Sequence, residues 1–293
     1  MSTVTLQGAK ARKPESQFTA VMKRLRKNHA AVAGLIVFIM LIILAVIGPW
    51  IAPYDYSRLD FSCAFAKPSA EHLFGCDELG RDIFSRVLYG ARYSLTIGVG
   101  AVALCLVIGL VLGSVAGFFG GKVDNLLMRF LDIFQSIPGM LMSIAISAVL
   151  GRGLDKCILA ISLTSMPQYV RILRASILGI RDNEYVEAAE SINCSRWRII
   201  TRHVLPNALS GLIVTATMGI ANSIILAAGL SYVGLGVQPP TPEWGARLSG
   251  ARNYIRDYPH MVIFPGLAIA VTVLSLNMMG DGLRDALDPK LKR

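Results

Sequence analysis

Residues 30–52, AAVAGLIVFIMLIILAVIGPWIA, form an apolar run without a single charged side chain. Inside hydrocarbon each peptide N–H and C=O must find its partner within the protein, and a continuous apolar run of about 20 residues meets that demand as a membrane-crossing helix. Further apolar runs fall at 95–118, 131–150, 158–178, 208–233 and 261–280. With the first at 30–51 they predict six transmembrane helices in an all-α polytopic membrane protein. Composition agrees: the 293 residues are 54% hydrophobic and only 16% charged, too little polar surface for a soluble domain of this length. The first run lacks the short core and small-residue cleavage site of a secretory signal, so it is read as a retained helix. The fourth contains Pro167, Arg171 and Arg174. One half of it must therefore leave the hydrocarbon early or face protein.

Basic residues set the expected orientation. With the N-terminus inside, 19 of the 29 Lys and Arg residues fall on the inner side, the arrangement that the positive-inside rule favours. The cluster Lys23, Arg24, Arg26 and Lys27 directly precedes the first run. The chain then divides into an N-terminal cytoplasmic tail (1–29), a first transmembrane helix (30–52), an extracytoplasmic segment (53–92), a transmembrane core (93–282) with a cytoplasmic loop at 181–206, and a cytoplasmic tail (283–293). Residues 1–20 are polar and expected to be mobile. The net charge of +10 reads as an anchor on anionic membrane lipid and not as a nucleic-acid surface.

The loop EAAESINCSRWRIITRHVLP, 187–206, is a charged helix–turn–helix between two apolar runs. The pattern predicts two helical turns that expose Glu187 and Glu190, then a reversal at Asn193, the non-Gly residue that best tolerates a left-handed backbone. Ser195 is placed to cap a second short helix ending before Pro206. Composition alone leaves two readings open, a docking surface or an ordinary cytoplasmic loop.

Other features carry weaker signals. Gly109, Gly113 and Gly117 make a flat stripe on the second span, read first as helix packing within the chain and second as a subunit interface. Asp132, with Gln135 and Pro138, sits near the end of the third span. Its readings are a hinge or pathway lining, or an ion pair with Arg129 one turn earlier. Asn277, Asp281 and Asp285 share one face of the sixth span, with contact to the 187–206 loop or a partner as the functional reading and a solvated helix end as the plain one. Between His72 and Leu95 the charges Asp77, Glu78, Arg81, Asp82 and Arg86 recur at helical spacing, which predicts a surface helix with internal ion pairs. Trp244 and Tyr254 are expected as interfacial anchors. Cys63 and Cys76 share the 53–92 segment, where an oxidising compartment would permit a disulfide whose geometry the sequence does not fix.

Catalytic signatures are missing. Gly120-Gly121-Lys122 is followed by Val123 and lacks the upstream Gly of a phosphate-binding loop. GLSYVG (229–234) is not the GxSxG of a nucleophile elbow. His72, Cys76 and Asp77 have only loosely metal-like spacing, and no metal and no cofactor is expected. An ion-coupled secondary transporter, the less favoured alternative, would need acids deep in the spans and internal repeats. Only Asp132 lies inside a span, near one end.

Glu187-Ala188-Ala189, a turn residue and then Leu205-Pro206 resemble the EAA loop of ABC-importer permeases. HLFGCDELGRD, SRVLYGARYSL, MRFLDIFQSIP, LGVQPPTPEWG and FPGLAIAVTVLSLNMMGDGLRDALDPK extend the resemblance over about residues 20–293. The closest likeness is to the dipeptide/oligopeptide/nickel group, at its C-type dipeptide permease subunit. Asn193 departs from the family's turn Gly, Cys76 from a common Thr and Met166 from a frequent Trp. The resemblance implies a type I importer permease fold, a five-helix core plus one N-terminal helix, in a bacterial cytoplasmic membrane. It implies a non-catalytic subunit paired with a homologous second permease, two ATP-binding subunits and an extracytoplasmic solute-binding protein. Glu187, Ala188, Ala189, Asn193, Leu205 and Pro206 would carry the coupling. The cargo would be dipeptides or short peptides, with nickel complexes, glutathione or haem as alternatives.

Overall fold

A computed structural model describes residues 17–287, and these are helical wherever they are regular. Helix α1 (Gln17–Leu25) precedes α2 (His29–Ile51). Asn28 separates them, its side chain accepting from the Ala31 N–H at 3.1 Å as an N-cap. α2 turns Ala31, Gly34, Phe38, Ala45 and Gly48 inward and leaves Ile39, Ile43 and Ile47 exposed, as a helix facing lipid should. Helix α3 (Ile83–Phe119) is 37 residues long, about 55 Å at 1.5 Å per residue. Next come α4 (Gly121–Gln135), α5 (Gly139–Leu150), α6 (Leu154–Arg181) and α7 (Glu184–Ser191). Helix α8 runs unbroken from Arg196 to Tyr232, α9 is Trp244–Ala251 and α10 is His260–Leu287.

Four helices, α2, α3, α8 and α10, are long and apolar enough to cross a membrane. The α4–α5 pair, bent by 88°, has the same apolar character only when taken together, as a broken span or a re-entrant loop. The third span is therefore not the single helix that 131–150 suggested. Pro138 forces Ile137 out of helical geometry and has no N–H to give, so α4 ends at Gln135 and α5 restarts after Pro138. Helix α6, 28 residues with Pro167 inside it, is the sixth element. It has the length to span, but Arg171 and Arg174 draw it towards polar partners.

The bundle is built around α3. Its glycine stripe faces α6 in parallel register: Gly109 lies on Tyr169, Gly113 on Leu173 and Gly117 on Ile177. A Cβ at these three glycines would stand 2.9, 3.0 and 2.9 Å from the Cβ atoms opposite, so the two backbones approach as closely as side chains permit. Leu131, Val170, Leu173, Ile177 and Leu212 close the core around this seam.

Two further expectations change. Residues 72–82 are loop, and the predicted surface helix is instead the first turns of α3, starting at Ile83 under an Asp82 N-cap. Trp244 is buried and donates its indole N–H to the Val87 carbonyl at 2.9 Å, so it is a core residue and not an interfacial anchor. Tyr254 is half-buried and packs on Phe65, their ring centroids 5.0 Å apart. The polar N-terminal stretch to residue 16 and the tail from 288 lie outside the described residues, while 283–287 continue α10.

Candidate functional site

At the C-terminal end of α3, α7 and the start of α8 form a compact helical hairpin. The Asn183 carbonyl accepts from Val186 N–H at 2.8 Å to open α7. At the other end Asn193 N–H donates to the Glu190 carbonyl at 2.8 Å and Cys194 N–H to the Ala189 carbonyl at 3.1 Å. These bonds close the helix through a left-handed residue, and Asn193 sits at φ +58°. Ser195 precedes α8 in extended conformation, but its side chain makes no capping bond.

The hairpin has two distinct faces. Val186 (1% exposed) and Ala189 join Leu131, Ile199 and Val204 in the bundle core. Glu187, Ala188 and Glu190 point away from it, with Ile192 79% and Trp197 75% exposed. The EAA triplet is thus divided: Ala189 fastens α7 to the bundle, while Glu187 and Ala188 face outward. A cavity of about 310 Å³ opens beside Glu187 and Glu190, walled by Phe118, Phe119, Arg181 and Arg196. Ile192 and Trp197 are large apolar side chains left open to solvent, and covering each one would return about 1.5–3 kcal/mol.

Leu205 and Pro206 do not end a helix, contrary to the sequence expectation. Pro206 has no N–H for the carbonyl four residues back. The chain widens to π geometry over Ile199–Val204, with Leu205 N–H reaching the Ile200 carbonyl. The helix then continues to Tyr232.

Asp132 pairs with Arg171 of α6, not with Arg129. One helical turn along α6, Arg174 clasps Asp124 of α4 with two nitrogens. These two clamps hold α4 across α6, which sequence spacing within one helix could not reveal. Asn277 is half-buried and Asp281 exposed on α10, which packs on α2 and α8. Among the described residues neither is hydrogen-bonded or ion-paired to the hairpin.

Sequence reading missed a groove of about 630 Å³ whose walls include Tyr169, Ser210, Thr215, Asn222 and Arg284. Its signal was the four-residue repeat Gly211, Thr215 and Gly219 on α8. The Gly219 position is filled by the Tyr169 hydroxyl, 1.9 Å from where a Cβ would stand. Amide, hydroxyl and guanidinium groups along an otherwise apolar wall suit a polar, uncatalysed ligand.

At the other end of α3 lies a buried ion cluster. Asp77, fully buried, faces Arg81 at 2.7 Å, Arg247 at 2.9 Å and Arg86 at 3.8 Å. Its other oxygen accepts from the Leu79 and Arg81 N–H groups. Burial alone would push the Asp77 carboxyl up, but Arg247, Arg81 and those backbone donors outweigh it and hold the carboxyl below its ordinary range. The charges thus bind loop, α3 and α9 into one unit, in place of the ion pairs along a surface helix that their spacing had suggested. Cys63 and Cys76 are both free thiols.

Comparison with known proteins places this arrangement. Residues 109–293 match the family described as "Binding-protein-dependent transport system inner membrane component", and residues 16–68 match the N-terminal transmembrane domain of oligopeptide transport permease C. The dipeptide transport system permease protein DppC of Alkalihalophilus pseudofirmus is 44% identical over 95% of this chain and 94% of its own. The glutathione transport system permease protein GsiD of Escherichia coli is 46% identical over 92% of this chain and 89% of its own. Among solved structures, the inward-facing MetNI methionine ABC transporter aligns at TM-score 0.58 and 21% identity, over 69% of this chain and 96% of that one. Fold and sequence agree: the chain belongs to the family of membrane-embedded permease components of binding-protein-dependent ABC import systems.

Proposed function

We propose that this chain is one of two permease subunits of an ATP-driven importer for dipeptides or short peptides in the bacterial cytoplasmic membrane, with both termini in the cytoplasm. The observation that carries the reading is the two-faced hairpin, anchored by Val186 and Ala189 and presenting Glu187, Ala188, Ile192 and Trp197. In this reading ATP-driven closure of two partner ATPases pulls on that face. The motion passes through the Val186 and Ala189 anchors into α3, α6 and α8, and opens the groove beside Tyr169 to cargo handed over by a solute-binding protein. Peptide cargo is supported by the 44% identity to a dipeptide permease. The excess of Lys and Arg before α2 supports the orientation.

The 46% identity to a glutathione permease favours a second reading of the cargo, since glutathione is itself a small peptide. Mild-detergent capture of a tagged chain from native membranes should bring down two ATPases and a different permease. Recovery of the chain alone under several extraction conditions would remove the importer reading. Competition between labelled dipeptide and glutathione for ATP-dependent uptake then chooses the cargo.

A further inference from the structure

The loop that precedes α3 gathers three side chains that the transport reading does not use: Cys76 is fully buried, Cys63 Sγ lies 3.2 and 3.3 Å from the Asp60 and Gly80 carbonyl oxygens, and His72 packs on Tyr54. Cys63, His72 and Cys76 come from separate turns, yet one metal-ligating atom from each lies within 4.8 Å of the other two. The backbone holds them there. Phe65 N–H donates to the Asp77 carbonyl at 3.0 Å and Cys76 N–H to the Ala66 carbonyl at 2.9 Å, zipping the two segments together. Gly80 closes the turn at φ +71°, where any Cβ would stand 1.7 Å from the Asp60 carbonyl oxygen.

His72 is oriented from behind. Its Nδ1 lies 2.9 Å from Asp82 Oδ1, and the other Asp82 oxygen is fixed by the Ser85 N–H at 2.7 Å. With Nδ1–H given to the carboxylate, Nε2 keeps its lone pair, the arrangement found behind metal-bound histidines. Tetrahedral zinc, with Zn–S near 2.3 Å and Zn–N near 2.0–2.1 Å, needs ligand atoms roughly 3.5–3.8 Å apart, a contraction of at most about 1.0–1.3 Å from the 4.8 Å grouping.

We propose that Cys63, His72 and Cys76 form a binding site for one zinc-class divalent ion, with Asp82 as the positioning residue behind His72. Binding makes two sulfur–metal bonds and one nitrogen–metal bond. It displaces waters from the ion and releases the two thiol protons to solvent, with no change of oxidation state. Two thiolates neutralise the dication, so the site, buried at Cys76 and half-buried at Cys63 and His72, carries no net charge of its own. The ion would pin the 53–82 loop to the start of α3. The inference is independent of cargo and of ATPase coupling. Of the residues weighed from spacing alone, His72 and Cys76 belong to it. Asp77 is spent on three arginines, and Cys63 is supplied by the fold.

The test uses the assembled transporter purified without chelator. Elemental analysis should find one more zinc per permease chain in the wild type than in Cys63→Ser or His72→Gln. Asp82→Asn, which keeps a capable N-cap, should bind zinc about 10–100-fold more weakly. If the cysteine and histidine variants fail to assemble, added Zn²⁺ should still protect Cys63 of the wild type from maleimide, as read by peptide mapping. Equal zinc in wild type and variants, no protection of Cys63, or a Cys63–Cys76 disulfide in protein taken from native membranes would each overturn the proposal.

Discussion

Asn193 holds φ +58° at the hairpin turn, where a β-branched side chain would meet its own backbone. Asn193→Gly should leave stability and uptake unchanged, and Asn193→Val should cost about 1–2 kcal/mol and reduce ATP-dependent uptake. Equal behaviour of the two variants in a transport assay would refute the turn argument. At the opposite end of α3, Asp77 serves Arg81, Arg86 and Arg247 at once. Asp77→Asn leaves three buried guanidinium groups with Glu78 as their remaining counter-charge and should lower stability by about 3–5 kcal/mol, measurable as a fall in the thermal midpoint in detergent. The pH dependence has a definite sign. A carboxyl whose pKa is lowered by folding contributes stability that is fully present above the ordinary value of 3.8, and loses it as pH falls through the lower folded value. Acid should therefore loosen the loop, α3 and α9 together, while the Asp77→Asn protein shows a flatter stability profile below about pH 4. Such residue-level meaning was only partly legible in the chain. Asn193 could be read because turn chemistry is local. Asp77 could not, because Arg247 reaches it from a distant part of the sequence.

Among the elements, the α3–α6 seam gives the sharpest test of packing. Gly113 has Leu173 Cβ and the Val170 carbonyl oxygen each 3.0 Å from its missing Cβ, whereas Gly179 on α6 has nothing within 4 Å. Gly113→Leu should separate the two helices and cost about 1–3 kcal/mol or more, and Gly179→Leu should be tolerated; the ratio of folded to aggregated protein after heating compares them. Helices were legible where one periodic signal ran without competition, as in α2 and α10. They were misread where two signals met. In 131–150 the apolar run outweighed Pro138, yet the missing N–H of that proline divides the span. In 72–95 the helical spacing of charges was real only from Ile83 onward, and earlier charges were spaced by a loop folding back on itself. Pro206 was read as a stop, but a π turn lets the helix pass it. Both clamps between α4 and α6 join helices, and a single sequence does not display pairings of that kind.

For the whole molecule, the two ends of α3 have different tasks. One end is fixed by Asp77, Arg81, Arg86 and Arg247; the other meets the hairpin through Phe118 and Phe119. Glu187→Lys reverses charge on the exposed face of α7 without touching the Val186 and Ala189 anchors. It should leave membrane insertion intact while abolishing ATP-dependent uptake, as shown by normal chain abundance in membranes beside absent transport; undiminished uptake would remove Glu187 from the coupling surface. The length of α3 has a mechanical consequence. A helix of about 55 Å, seated firmly at one end, behaves as a lever arm: a tilt of roughly 5° at the seat would carry its other end, and the α6 turns packed on it, through about 5 Å, close to the rise of one helical turn. Small angular changes at one face of the bilayer thus become residue-sized displacements at the other, with no helix needing to melt or change length.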